Sequence, residues 1–89
     1  MDSHVTSRFR KCFDTLPKDI QDKAKKVYRI WAESPTHPSL HFKQVHDTEP
    51  IFSVRVGLYH RALGVKESDS MIWFWIGTHE EYNNLISQL

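Results

Sequence analysis

Apolar positions recur at helical spacing in the first third of the chain and at strand spacing in its second half. Val5, Phe9, Cys12 and Phe13 fall at i, i+4, i+7 and i+8, which predicts a short amphipathic helix over Val5–Phe13. Asp14-Thr15-Leu16-Pro17 breaks it, and Pro17 suits the first turn of a new helix, where its missing N–H costs nothing. From there Ile20, Ala24, Val27, Tyr28 and Trp31 form one stripe that runs to about Glu33. Ser34-Pro35 ends that helix, because a residue preceding proline disfavours the α region.

The period then changes. Leu40–Val45 reads as a short strand and His46–Pro50 as a polar turn. In Ile51–Val56, Phe52, Val54 and Val56 alternate with Ser53 and Arg55, the pattern of a half-buried strand. Gly57-Leu58 is a tight connection to a strand over Tyr59–Val65, and Lys66–Ser70 turns the chain back. Met71-Ile72-Trp73-Phe74-Trp75-Ile76 is almost wholly apolar, as expected of a central strand covered on both faces. If that strand is regular, Trp73 and Trp75 share a face opposite Phe74, packed under the closing helix or open to a partner. After Gly77, Thr78 with Glu81 three residues on is a capping box, and Tyr82, Leu85 and Ile86 form the inner stripe of a closing helix. The expected fold is α+β: a four-stranded antiparallel sheet with two N-terminal helices packed on it and a short C-terminal helix, with the helices on one face. One domain is expected over residues 1–89.

Composition narrows the class. With 39% hydrophobic and 26% charged residues and only 3 Gly and 4 Pro, the chain is neither disordered nor low-complexity. The longest apolar run falls far short of the roughly 20 residues of a membrane span, and the N-terminus lacks the layout of a secretory signal. A single cysteine, Cys12, forms no internal disulfide and reads as a small buried residue. A cytoplasmic setting without membrane contact is expected. The net charge of +1 conceals an asymmetry. Residues 1–44 carry nine Lys/Arg against five Asp/Glu, +4, and residues 45–89 carry three against six, −3. A basic first half steers towards polyanions or simply solvates a helix face, since Asp19/Lys23 and Asp22/Lys26 are i,i+4 pairs.

No glycine-rich phosphate loop, HExxH or nucleophile elbow is present. His37, His41 and His46 lack a spacing that converges on one ion, so neither metal nor cofactor is expected. The more suggestive residues lie on or beside strands. Arg55 points away from the Phe52/Val54/Val56 side, Tyr59 and Arg61 share one face with His60 on the other, and His79 starts the last helix. The N-terminal end of a helix disfavours a charged imidazole, which suits a base. Two arginines, a histidine and a tyrosine suffice to bind a phosphodiester and move a proton. The same residues serve equally as strand-edge or partner contacts.

Four stretches together carry a resemblance: Leu16-Pro17 through Trp31; Leu40-His41-Phe42-Lys43; Ser53-Val54-Arg55-Val56-Gly57 with Arg61-Ala62-Leu63-Gly64; and Trp73 through Ile76-Gly77-Thr78-His79-Glu80-Glu81-Tyr82. In order and spacing the chain, over roughly residues 8–87, resembles the RelE/ParE superfamily of toxins from bacterial type II toxin–antitoxin modules. The resemblance implies a toxin that causes growth arrest and is neutralised by a cognate antitoxin. In the RelE-like branch it implies a ribosome-associated, metal-independent mRNA endoribonuclease; in the ParE-like branch, a non-enzymatic inhibitor of DNA gyrase. A third reading is an inactive module that only binds its antitoxin. Carried over by position, Arg55 and Arg61 match basic strand residues that hold RNA phosphates, and His79 matches a basic or histidine position after the last strand. Tyr82 approximates a C-terminal tyrosine. Together these are the candidate catalytic residues, while Lys43, His60 and Tyr59 are candidates for substrate binding. Ser53 departs from the pattern, standing where a nuclease often has lysine. So does the N-terminus, where the family's first strand is missing because the chain is expected to open into helix.

Overall fold

The computed structural model describes residues 2–89. The chain runs β1 (Asp2–Val5), α1 (Ser7–Asp14), α2 (Lys18–Glu33), a 3-10 turn (Pro38–Leu40), β2 (Lys43–Gln44), β3 (Ile51–Val56), β4 (His60–Glu67), β5 (Ser70–Thr78) and α3 (His79–Ile86). The fold is α+β, but the sheet has five strands in the order β1-β5-β4-β3-β2, and β1 pairs parallel with β5. The expected four-stranded antiparallel sheet is therefore corrected to a mixed five-stranded one.

The extra strand is at the N-terminus, where a strand was thought missing. Asp2–Val5 pairs with Ser70–Trp73, and the ladder closes with Thr6 N–H donating to the Trp73 carbonyl at 3.0 Å. Val5 thus ends a strand instead of starting a helix. Thr6 switches the chain between the two, since its side chain accepts from Phe9 N–H at 3.1 Å as the N-cap of α1. The first two helices are consequently inserted between β1 and β2. They are tied together by Gln21, whose amide donates to the Phe13 carbonyl at 2.9 Å.

The expected strand over Leu40–Val45 shrinks to Lys43–Gln44. His37 Nδ1 accepts from Ser39 N–H, Pro38 starts a 3-10 turn, and His41 takes a left-handed conformation at φ 46°. This turn drives Leu40 into the core, where it is 1% exposed. Because β2 pairs only with Phe52 and Ser53, β3 is an open edge from Val54 onwards.

Tyr59 lies before β4, not in it, so it does not share a strand face with Arg61. The β4–β5 register skips a residue: Leu63 faces Trp75, yet Gly64 faces Trp73, leaving Phe74 as a bulge. The bulge puts Trp73 and Trp75 on opposite faces of the sheet. Trp73 joins Trp31, Val54, Val56, Ala62 and Ile76 under α1 and α2, with its ring edge-on to Trp31 at 5.2 Å. Trp75 joins Leu63 and Tyr82 under α3. Helices therefore cover both faces, not one, because each tryptophan creates an apolar surface that needs a cover. Both indoles are core residues, at 4% and 7% exposure, and neither forms an open patch. Cys12 is only half-buried.

Candidate functional site

On the α3 face, register sets two adjacent cross-strand rows: Lys43, Ser53, Leu63 and Trp75, then Arg55, Arg61 and Gly77. Gly77 leaves space there for the Trp75 ring, which lies 2.5 Å from where a Cβ would sit. The capping box is formed in full. Glu81 N–H donates to Thr78 Oγ1, and Glu81 Oε1 accepts from Thr78 N–H and hydroxyl at 2.9 Å each. These bonds, the backbone one foremost, hold the Glu81 carboxyl below its usual range, and neighbouring His60 adds to the effect.

The capped helix fixes the centre of the site. His79 is exposed, and its N–H donates to the Tyr59 carbonyl at 2.7 Å, tying α3 to the β3–β4 turn. Arg61 Nε donates to His79 Nδ1 over a long 3.4 Å. The Arg61 guanidinium lies 5.3 Å above the Tyr82 ring, and the rings of His79 and Tyr82 are 5.7 Å apart. Tyr82 is 4% exposed and serves as the platform beneath the other two. Arg61 Nη1 is buried and has no partner among the described residues.

Arg61, His79 and Tyr82 therefore converge. Arg55 does not join them, although it opposes Arg61 in the register. Its Nε donates to the Gly57 carbonyl at 3.0 Å and its Nη1 approaches His41 Nε2 at 3.5 Å, so the side chain turns to the open edge of β3. Lys43 is exposed in the neighbouring row, Tyr59 is 73% exposed at the turn, and His60 pairs with Thr78 beside Glu81. Sequence reasoning missed what α2 contributes. Lys23 and Lys26 line a depression with Arg55, whereas their spacing from Asp19 and Asp22 had suggested ion pairs. The one ion pair among the described residues is instead Lys18–Asp22, which keeps the Asp22 carboxyl low. Helical periodicity carries no signal for which strand turn a lysine will face.

On the opposite side α1, α2 and the sheet enclose an apolar groove of about 390 Å³. Phe9, Phe13, Val27, Trp31, Val54 and Trp73 line it, and Lys25 and Arg29 are at its rim. The indole N–H groups of Trp31 and Trp73 are buried without partners among the described residues.

A small mixed sheet with helices on both faces defines a known structural class. It is shared with the toxin of the RelB–RelE antitoxin–toxin complex of Methanococcus jannaschii (TM-score 0.73, 16% identity, 91% of this chain and 95% of that one). YafQ of E. coli aligns with TM-score 0.74 at 12% identity over 91% and 96%. The YoeB/ParE toxin of Agrobacterium tumefaciens aligns with TM-score 0.70 at 12% identity over 89% and 99%. No curated protein shows a significant sequence match. The family model of the ParE-like toxin domain matches residues 18–84, and the chain belongs to that family, within the RelE/ParE toxin superfamily.

Proposed function

We propose that this chain is the toxin of a toxin–antitoxin pair and arrests growth by cutting mRNA on the ribosome. The observation that supports this reading is the convergence of exposed His79 with Arg61 above the buried Tyr82 ring. In the proposed reaction the RNA 2′-oxygen attacks the adjacent phosphorus as its proton passes to the imidazole of His79. The bond to the 5′-oxygen breaks, and that oxygen takes up a proton from solvent. The products are a 2′,3′-cyclic phosphate and a 5′-hydroxyl. Arg61 stabilises the charge that develops on the phosphorane. Tyr82 positions Arg61 through its ring and takes no part in proton transfer.

The cognate antitoxin is proposed to seat an amphipathic, acidic segment in the groove between α1, α2 and the sheet. The rim charges of Lys25 and Arg29 complement such a segment. Lys18, at the start of the same helix, is engaged by Asp22.

Expressing the chain alone and mapping mRNA 5′ ends tests the reading. The native protein is expected to cut mRNA, and His79→Ala to lower cleavage about 10²–10⁴-fold, the usual share of a positioned acid or base. Arg61→Ala is expected to abolish growth arrest with the fold retained by circular dichroism. Full toxicity of both variants would overturn the site. An induced DNA-damage response with intact mRNA would replace the nuclease with a gyrase inhibitor.

A further inference from the structure

Three cations gather at the β3–β4 turn, and none of them forms an ion pair with an acid among the described residues. Gly57 turns the chain at φ +64°, and an added Cβ there would lie 3.4 Å from Lys23 Cδ and 3.7 Å from Lys23 Nζ. The lysine is thus laid against the turn. The Gly57 carbonyl accepts from Arg55 Nε at 3.0 Å, which brings the guanidinium to the same glycine. Lys26, three residues along α2, lines the same depression of about 450 Å³, as does Ser39. Asp19 and Asp22 are each one helical turn from a lysine of this set, yet neither pairs with it, and the only ion pair among the described residues lies elsewhere. Like charges gathered this way repel, and a bound anion relieves the repulsion.

We infer that Lys23, Lys26 and Arg55 form a phosphodiester-binding site that holds the backbone of single-stranded RNA beside the proposed cleavage site. The polymer, though not the anion, rests on the nuclease reading. Arg55 and Arg61 are direct cross-strand partners, so the two sites abut. Tyr59, 73% exposed, is on the turn that joins the two strands, and its carbonyl is held by the backbone N–H of His79. A cationic track interrupted by an open aromatic face is the layout with which proteins grip single strands, phosphates on the cations and a base on the ring. An acidic peptide would use the charges but leave Tyr59 without a role. The site makes Arg55 a binding residue and gives the RNA a direction across the turn.

The test uses a 2′-O-methyl RNA oligonucleotide, which lacks the attacking hydroxyl, and follows its fluorescence anisotropy across a salt series. In the Lys23→Gln/Lys26→Gln variant, binding should weaken several-fold. The slope of log affinity against log salt should fall by about 1.4, the value for two phosphate contacts on a single strand. Glutamine has a helix propensity close to that of lysine, so α2 should persist, which circular dichroism checks. Inorganic phosphate provides a second readout: it should shift the amide resonances of Ser39, Gly57 and Leu58 in the native protein and not in the variant. An unchanged salt slope overturns the site and leaves the nuclease reading standing. Phosphate-induced shifts without any RNA binding overturn the RNA assignment together with that reading. Displacement of the RNA by polyglutamate at equal charge concentration overturns it in favour of an acidic peptide.

Discussion

Ser53 and Gly77 lie in neighbouring rows of the α3 face, and they respond to a methyl group in opposite ways. Ser53 is 0% exposed, and its hydroxyl has no partner among the described residues. Such a buried, unpaired hydroxyl costs about 1–3 kcal/mol of desolvation. Ser53→Ala removes that cost with little loss of volume, and should leave stability unchanged or raise it by up to about 1 kcal/mol. Gly77→Ala puts a Cβ 2.5 Å from Trp75 Cζ2 and 2.9 Å from its Cη2, and an indole buried in the core cannot yield. That change should cost about 1–3 kcal/mol, as overpacking does. For a domain of this size each kcal/mol is worth about 4–8 °C in Tm. Thermal unfolding of both variants checks the pair; a lower Tm for Ser53→Ala would mean that the hydroxyl is in fact paired. The burial of Ser53 also accounts for the departure seen in the sequence. A lysine at this position would have to drive its ammonium under α3, so the basic residue of that row stands instead at exposed Lys43.

Helix α3 has only eight residues, too few to be stable alone, and it presents both His79 and Tyr82. Its capping box therefore supports the site as well as the fold. Thr78→Ala should lower stability by about 1 kcal/mol, read as a shift in the urea midpoint at unchanged slope. Glu81 makes the same element sensitive to acid. Its carboxyl is depressed in the folded chain, foremost by the bond from Thr78 N–H. The stability it contributes is complete above its unfolded-state value of about 4.3 and is lost as pH falls through the lower folded value. Glu81→Gln should thus destabilise at neutral pH and lose most of that deficit in acid; a deficit that stays constant with pH would refute the ionised cap. The box was legible because both partners lie within four residues, as was most of the α2 stripe, although Tyr28 is exposed and Ile30 packs on the core instead. The unread elements depend on distant partners. Asp-Ser-His-Val has no apolar alternation, and only the otherwise open edge of β5 makes it a strand. The Phe74 bulge is set by the register with β4, which no local pattern records. The Arg61–His79 meeting was half legible: both residues were named in advance. Arg55 opposes Arg61 in the register but its side chain turns away, because strand alternation fixes a face and not where a long side chain ends.

Across the whole molecule the +4 of the first 44 residues divides between two places. Lys23 and Lys26 face the β3–β4 turn, whereas Lys25 and Arg29 rim the apolar groove. Adjacent positions on one helix thus face two different surfaces, the proposed RNA site on one side and the proposed antitoxin groove on the other. This separation yields a test of the groove that does not disturb the proposed nuclease. Rim charges govern encounter more than retention, and exposed charges are screened beyond a Debye length of about 10 Å at 0.1 M salt. Lys25→Glu/Arg29→Glu should therefore slow association of the cognate antitoxin about tenfold or more at low salt, within the range that electrostatic steering supplies. The dissociation rate should change little, and the deficit in association should vanish as salt is raised. Trp31 and Trp73 line the groove, so their fluorescence in stopped flow reports occupancy directly. Cleavage by the free variant should match the native protein, since neither residue touches Arg61, His79 or the Lys23/Lys26/Arg55 cluster. Native association rates in the double variant at low salt, or a binding signal that leaves the indoles untouched, would place the antitoxin somewhere other than the groove.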